Sequence, residues 1–217
     1  MRFPEEFDAQ NKLQRPDQSA GFAVYITSRA SMSVIRTISA VIASLVTANA
    51  AAQYVKSTLP GFQLPKPESE YDSALLADIS RVGWHHVHVQ SEKGEPPFAY
   101  SLGFYANYGQ PEVIVFGLPA KTAQQLLNIV AIRFAGAKKP YETFRAYEDI
   151  AEGMKIAFVP VVRRYYPTYF GYAGWFYKSV KIDFPAIQMV WPDKQGHLPW
   201  ELGYDKSFSK FQPMLDR

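Results

Sequence analysis

Residues 96–119 read PPFAYSLGFYANYGQPEVIVFGLP, and residues 120–128 continue as AKTAQQLLN. Residues 98–104 are aromatic and apolar, which predicts a strand. Asn107-Tyr108-Gly109-Gln110-Pro111 has the chemistry of a turn, and residues 112–117 (EVIVFG) predict a buried strand. Pro119 suits a first helical position. The helix after it runs to about Phe134, with Ala123, Leu126, Leu127, Val130 and Phe134 on one face and Gly136 as its stop. Two strands joined by a tight turn must lie antiparallel, because a parallel pair needs a long crossover.

Outward from this stretch the pattern persists. Upstream, Asp72 or Ser73 can cap a helix that runs through Ser80 and stops at Gly83. Residues 84–89 (WHHVHV) predict a strand, and residues 91–97 a loop. Downstream, residues 154–162 predict a strand, with Pro160 marking an edge or a bulge. Residues 165–177 (YYPTYFGYAGWFY) allow a helix broken at Gly171 and Gly174, or an extended loop. Residues 186–191 (AIQMVW) predict a last strand, and Pro192-Asp193-Lys194-Gln195-Gly196 a turn. Strands and helices alternate irregularly with several short connections. The expectation is therefore one α+β domain over residues 70–217, its largely antiparallel sheet open or closing into a barrel, packed by two or three helices.

The first third of the chain reads differently. Residues 1–31 are polar, interrupted by Pro4, Pro16 and Gly21, and are expected to be poorly ordered. Residues 32–56 hold an apolar run behind the lone Arg36, ending Ala48-Asn49-Ala50. That is either an Ala-rich amphipathic helix or a signal-peptide pattern with cleavage after Ala50 and translation from Met32. The run is too short and too rich in small residues for a membrane span. A signal that starts 31 residues into the chain favours the helix, and with it a cytoplasmic protein. Residues 57–69, with three prolines, predict a linker.

Composition excludes several classes. There is no Cys, so disulfides, thiolate catalysis and Cys-ligated zinc are ruled out. A net charge of +3 without a basic stripe argues against nucleic acid. No Walker loop, G-x-G-x-x-G or G-x-S-x-G elbow is present. Aromatic residues make up 15% of the chain, which suggests an aromatic-lined core or pocket.

The candidate site residues follow from that surplus. Alternation puts Trp84, His86 and His88 on one face of their strand. Two His at i, i+2 can share a metal ion, with His197 as a third ligand, but the same spacing arises on any half-exposed strand. Tyr100 and Glu112 lie on the central strands, with Glu112 a candidate at the mouth of a pocket. Trp191, Asp193 and Trp200 flank the last turn, where Asp193 is expected to bond turn backbone.

Four segments together carry a resemblance: GWHHVHV (83–89), the stretch 96–119, the helix AKTAQQLLN, and IQMVWPDKQGHLPWELGY (187–204). In this order they resemble the bacterial family known as domain of unknown function 4262, over about residues 70–217. The resemblance implies a domain that recurs as a unit and supplies no substrate, cofactor or catalytic residue. His86 departs from it, standing where members more often carry an aliphatic residue. The pattern of strand, turn, strand and helix is also similar to the opening of flavin-reductase-like split barrels, which makes a flavin a concrete cofactor to test, with Trp84, Tyr100 and Trp191 as pocket aromatics. The leading expectation is a domain that binds a small molecule or a protein, another copy of itself included, through an aromatic pocket. The alternatives are a flavin-dependent oxidoreductase and a metal-assisted enzyme using the strand histidines. The compartment is checked by sequencing the mature N-terminus: export gives Ala51, and an intact Met1 or Met32 defeats it.

Overall fold

A computed structural model describes residues 57–90, 94–136, 140–180 and 183–217, and the readings made for residues 1–56 lie outside the described residues. Residues 57–69 contain no helix or strand. They are nevertheless held to the domain: Thr58 N donates to Ala106 O, and Ser179 Oγ donates to Gln63 O.

Helix α1 (Glu70–Val82) starts earlier than expected. Its cap is Ser69, whose Oγ accepts from Asp72 N at 3.1 Å, so neither Asp72 nor Ser73 does that work. The Asp72 carboxylate accepts from Glu68 N instead. Gly83, at φ 92°, ends the helix in the left-handed region.

Strands β1 (His85–Val89) and β2 (Phe98–Leu102) pair antiparallel, with Val87 opposite Tyr100. β2 is shorter than predicted. Gly103 turns the chain at φ 109°, and Phe104–Tyr108 form a one-turn helix, α2. Strand β3 (Glu112–Phe116) pairs antiparallel with β2. Helix α3 (Ala120–Gly136) then packs on the sheet through Ala123, Leu126, Leu127, Val130 and Phe134, the face that the spacing predicts.

The next strand, β4 (Ala146–Ala151), has little signature in the sequence; half of its residues are exposed, Glu148 and Asp149 among them. β4 pairs antiparallel with β5 (Met154–Pro160) through a shifted register. Pro160 does not mark an edge strand. β5 is flanked by β4 and β6, and Pro160 ends it beyond Ala157, where pairing with β4 stops. The aromatic stretch forms a 3-10 turn and two short helices, α4 (Tyr166–Tyr169) and α5 (Gly171–Phe176). They part at Phe170 (φ −122°, ψ 42°), while Gly171 and Gly174 both lie inside α5.

Strand β6 (Ala186–Val190) closes the order β1-β2-β3-β6-β5-β4. Its pairing with β3 is parallel and every other pairing is antiparallel. The barrel option fails: β1 and β4 are the two edges of an open sheet. The fold is α+β, with helices on both faces. α1, α4 and α5 cover one face over Leu76, Val87, Tyr100, Ile114 and Phe116. α3 covers the other over Ala99, Val113, Val115, Phe158 and Met189. Gly117 lets the chain leave β3 beneath the C-terminal segment. It has φ 69°, and a Cβ there would sit 2.2 Å from Phe211 O. Replacing Gly117 by Ala is expected to cost at least ~2 kcal/mol of unfolding free energy in a denaturant titration, from strain and overpacking together. Gly136→Ala, in open space at the end of α3, should be within about 0.5 kcal/mol of the parent; equal effects would refute the close approach.

Candidate functional site

Each candidate residue is positioned by a different local cause. β1 starts one residue later than the predicted strand: Val87 packs on the α1 side, so alternation turns His86 and His88 to the α3 side, where the ring of Trp84, just before β1, meets Phe104 at 5.1 Å. His85 points toward α1, and its Nδ1 lies 3.1 Å from Asp78 Oδ2. Burial lowers the affinity of all three histidines for a proton. In His86 the neighbouring His85 and His88 add to burial, and the pKa falls to about 4. His88 Nε2 is buried with no hydrogen-bond partner. His197 lies beside Asp193 in the turn after β6, so it does not complete a set with His86 and His88. Among the described residues no three His, Asp or Glu side chains gather as a metal site would require.

Tyr100 sits on the opposite face from His86 and His88. It is buried against Phe98 and Phe170, and its Oη accepts from Tyr172 N at 3.2 Å. Glu112 has no exposed surface, although it was a candidate for a pocket mouth. Its Oε1 accepts from Gly103 N at 2.9 Å, from Tyr105 N at 3.2 Å and from the Tyr177 hydroxyl. Ser101 Oγ lies 2.5 Å from its Oε2 and in turn accepts from Val113 N. Burial pushes the carboxyl up to about 7, against the pull of these donors. Tyr177 is raised well above a normal phenol, by burial first and then by the Glu112 charge.

Trp191 donates from Nε1 to Phe116 O at 2.9 Å and is buried under the C-terminal segment. Asp193 is a turn staple, as its place in Pro-Asp-x-x-Gly suggested. Its Oδ1 accepts from Gln195 N and His197 N, and its Oδ2 from Asp205 N, all within 2.9 Å. Burial opposes its ionisation, yet these three N–H groups outweigh burial and hold the carboxyl below its usual range. Trp200 is 40% exposed and touches Phe144 at 5.5 Å. Glu201 beside it pairs with Lys155 at 2.7 Å and accepts from Leu198 N.

The eight candidates therefore occupy separate places: the α3 side of β1, the opposite core, a sealed polar centre, the last turn and the outer surface. Tyr172, in α5, donates to Tyr100, and Tyr177, just past the end of α5, donates to Glu112. Sequence reading passed over a different grouping. Tyr71 on α1 and Tyr172 on α5 meet at 5.6 Å and are 48% and 37% exposed. Tyr71 also meets His85 at 6.4 Å, and Tyr172 meets the half-buried Trp175 at 6.0 Å. Asp78, bonded to both Arg81 and His85, supplies polar groups at the border. The signal available in sequence was only that Tyr172 and Trp175 are three apart, a helical spacing.

A family model described as domain of unknown function (DUF4262) matches residues 78–205. It includes all eight candidates, with Asp78, Tyr172 and Tyr177. No curated protein and no solved structure matches the chain.

Asp193→Ala removes one acceptor from three backbone N–H groups and should cost roughly 2–4 kcal/mol in a denaturant titration. A depressed carboxyl stabilises above its unfolded pKa and loses that contribution as pH falls through the lower folded value. Acidification below ~3.9 should therefore erode the parent more than the variant. Equal acid sensitivity in both would refute the staple.

Proposed function

We propose that this chain, which belongs to the family described as domain of unknown function (DUF4262), is a binding domain whose recognition surface is the Tyr71–Tyr172–Trp175 patch beside the Asp78–His85 pair. The observation that carries this reading is ring-to-ring continuity between partly exposed aromatics from α1, β1 and α5. Exposed Tyr and Trp offer large contact area with little rotamer entropy to lose, so they recur in recognition surfaces. The Asp78 carboxylate and the His85 ring add hydrogen-bonding groups at the edge of that apolar area, which is how orientation is fixed. The ligand that suits the patch is a flat, largely apolar group with a hydrogen-bond donor at its rim. A second exposed aromatic pair, Phe144 and Trp200, is smaller.

The test is a thermal-shift screen of the full chain with FMN, FAD, indole derivatives and phenolic acids, flavins being included because of the strand–turn–strand–helix pattern. A ligand at one hundred times its Kd should stabilise by about 2.7 kcal/mol. Expected is a shift that Tyr71→Ala/Tyr172→Ala abolishes and Trp200→Ala retains. A shift that survives the double variant, or one that Trp200→Ala removes, places recognition elsewhere; no shift from any compound ends the small-ligand form of the reading.

A further inference from the structure

The two edges of the sheet are finished differently. An edge strand presents a row of backbone N–H and C=O groups to any passing strand, and chains commonly guard it with charge, proline or an irregular register. β4 is guarded. It carries Glu148 and Asp149, and its register with β5 shifts between Tyr147 and Ala151. Arg133 also donates to both the carboxylate and the carbonyl of Asp149. β1 has none of these devices. Its sequence, HHVHV, contains no proline, lysine, arginine or carboxylate, and it pairs with β2 in one unbroken register. Burial lowers the proton affinity of His86 and His88, so neither guards the edge with charge at neutral pH.

The pairing pattern fixes which groups of β1 face outward. Gly117 N donates to Pro97 O at 2.7 Å, so the backbone of residue 97 points from β2 toward β3. Backbone groups alternate sides along an antiparallel strand. Phe98, Tyr100 and Leu102 therefore turn theirs toward β1, and their partners Val89, Val87 and His85 turn theirs toward β2. His86 and His88 are left with N–H and C=O pointing away from the sheet. Among the described residues, no backbone or side-chain group is bonded to them. Two residues at i and i+2, each with one donor and one acceptor on the same side, form a self-complementary set. An identical strand running the other way meets every outward N–H with an outward C=O.

We infer that β1 is the docking edge for a second copy of this chain, whose own β1 pairs with it antiparallel about a two-fold axis at Val87. In this register His86 stands opposite His88 of the partner subunit, and the reverse pair repeats across the axis. Their imidazoles line up on the α3 side of the joined sheet. Val87 meets Val87 of the partner subunit on the α1 side, an apolar cross-strand pair. No like charges oppose one another along the strand, and each favourable contact occurs twice by symmetry. The same strand pairing applied to β4 would set Glu148 and Asp149 against a second acidic strand and displace Arg133 from the Asp149 carbonyl. The dimer rests on the backbone of His86 and His88, whereas the aromatic patch draws on the side chain of His85. It therefore goes beyond the binding reading and does not depend on it.

The experiment is sedimentation velocity of the full chain, with no ligand, over about a hundredfold range of concentration, because a reversible dimer fills by mass action. Expected is a monomer–dimer equilibrium. His88→Pro removes an outward N–H and leaves the bonds to β2 intact, a place where an edge strand tolerates proline. Symmetry makes that loss count twice, so the dimer should weaken at least about tenfold. Register is read by cross-linking. The chain has no Cys, so a single introduced thiol can form a disulfide only between copies. The His86→Cys protein mixed with the His88→Cys protein should yield an oxidised dimer, because the two positions face each other at roughly 5.5 Å between Cα atoms. Either protein alone should not, since its two thiols stand two residues apart along the paired strands. This second test does not need the proline variant to fold. A parent that stays monomeric throughout, a dimer that His88→Pro leaves unchanged, or a disulfide that forms as readily in either protein alone as in the mixture would overturn the inference. Binding of a foreign strand by a monomeric parent would do the same.

Discussion

Every residue of β3 and β6 is buried, and this central parallel pair is the constraint around which the rest is arranged. A strand pair covered on both faces needs a helical layer above and below it. α3 supplies one layer. The other is assembled from α1, α4 and α5, which are too short individually to cover the sheet. The aromatic surplus belongs here. Phe170, Phe176, Tyr177 and Phe184 fill with large rings the space that a single long helix would have covered with aliphatic side chains.

Burial on both faces also determines what polar side chains in these strands must do. Gln188 on β6 donates to Pro213 O and accepts from Leu215 N, and Gln212 makes a reciprocal pair with the backbone of Trp191. Two buried amides thus tie the C-terminal segment to β6 and Trp191. Amides can do this at no electrostatic cost, since each offers both a donor and an acceptor. Glu112 is the exception among them, because a carboxyl offers the same balance only when protonated.

The elements with strong local patterns were legible. The apolar face of α3, the buried run of β3, the alternation of β1 and the turn at Asp193 all follow from residues within a few positions of one another. The misses are physical as well. β4 has half of its six residues exposed, Glu148 and Asp149 among them, because an edge strand needs no continuous apolar face, and so it has a weak strand signature. The early start of α1 turned on which of Ser69, Asp72 and Ser73 aimed an oxygen at a free N–H, a matter of backbone angle. The break in the aromatic stretch fell at Phe170 because packing against Tyr100, Tyr166 and Phe184 decided it, where glycine content suggested another place.

For the candidate site the division is sharper. By itself the chain determined that the domain is α+β, that cysteine chemistry is absent, that His86 and His88 share a face, and that Asp193 belongs to a turn. Each of these depends on residue type and short spacing. Only the tertiary structure decided that Glu112 is sealed rather than at a pocket mouth, that Tyr71 and Tyr172 form one surface, and that Trp200 stands apart from Tyr100. Tyr177 reaches Glu112 across 65 residues of sequence, and Tyr172 reaches Tyr100 across 72. The environment of a buried charge is the sum of such distant contacts, and no local pattern encodes that sum.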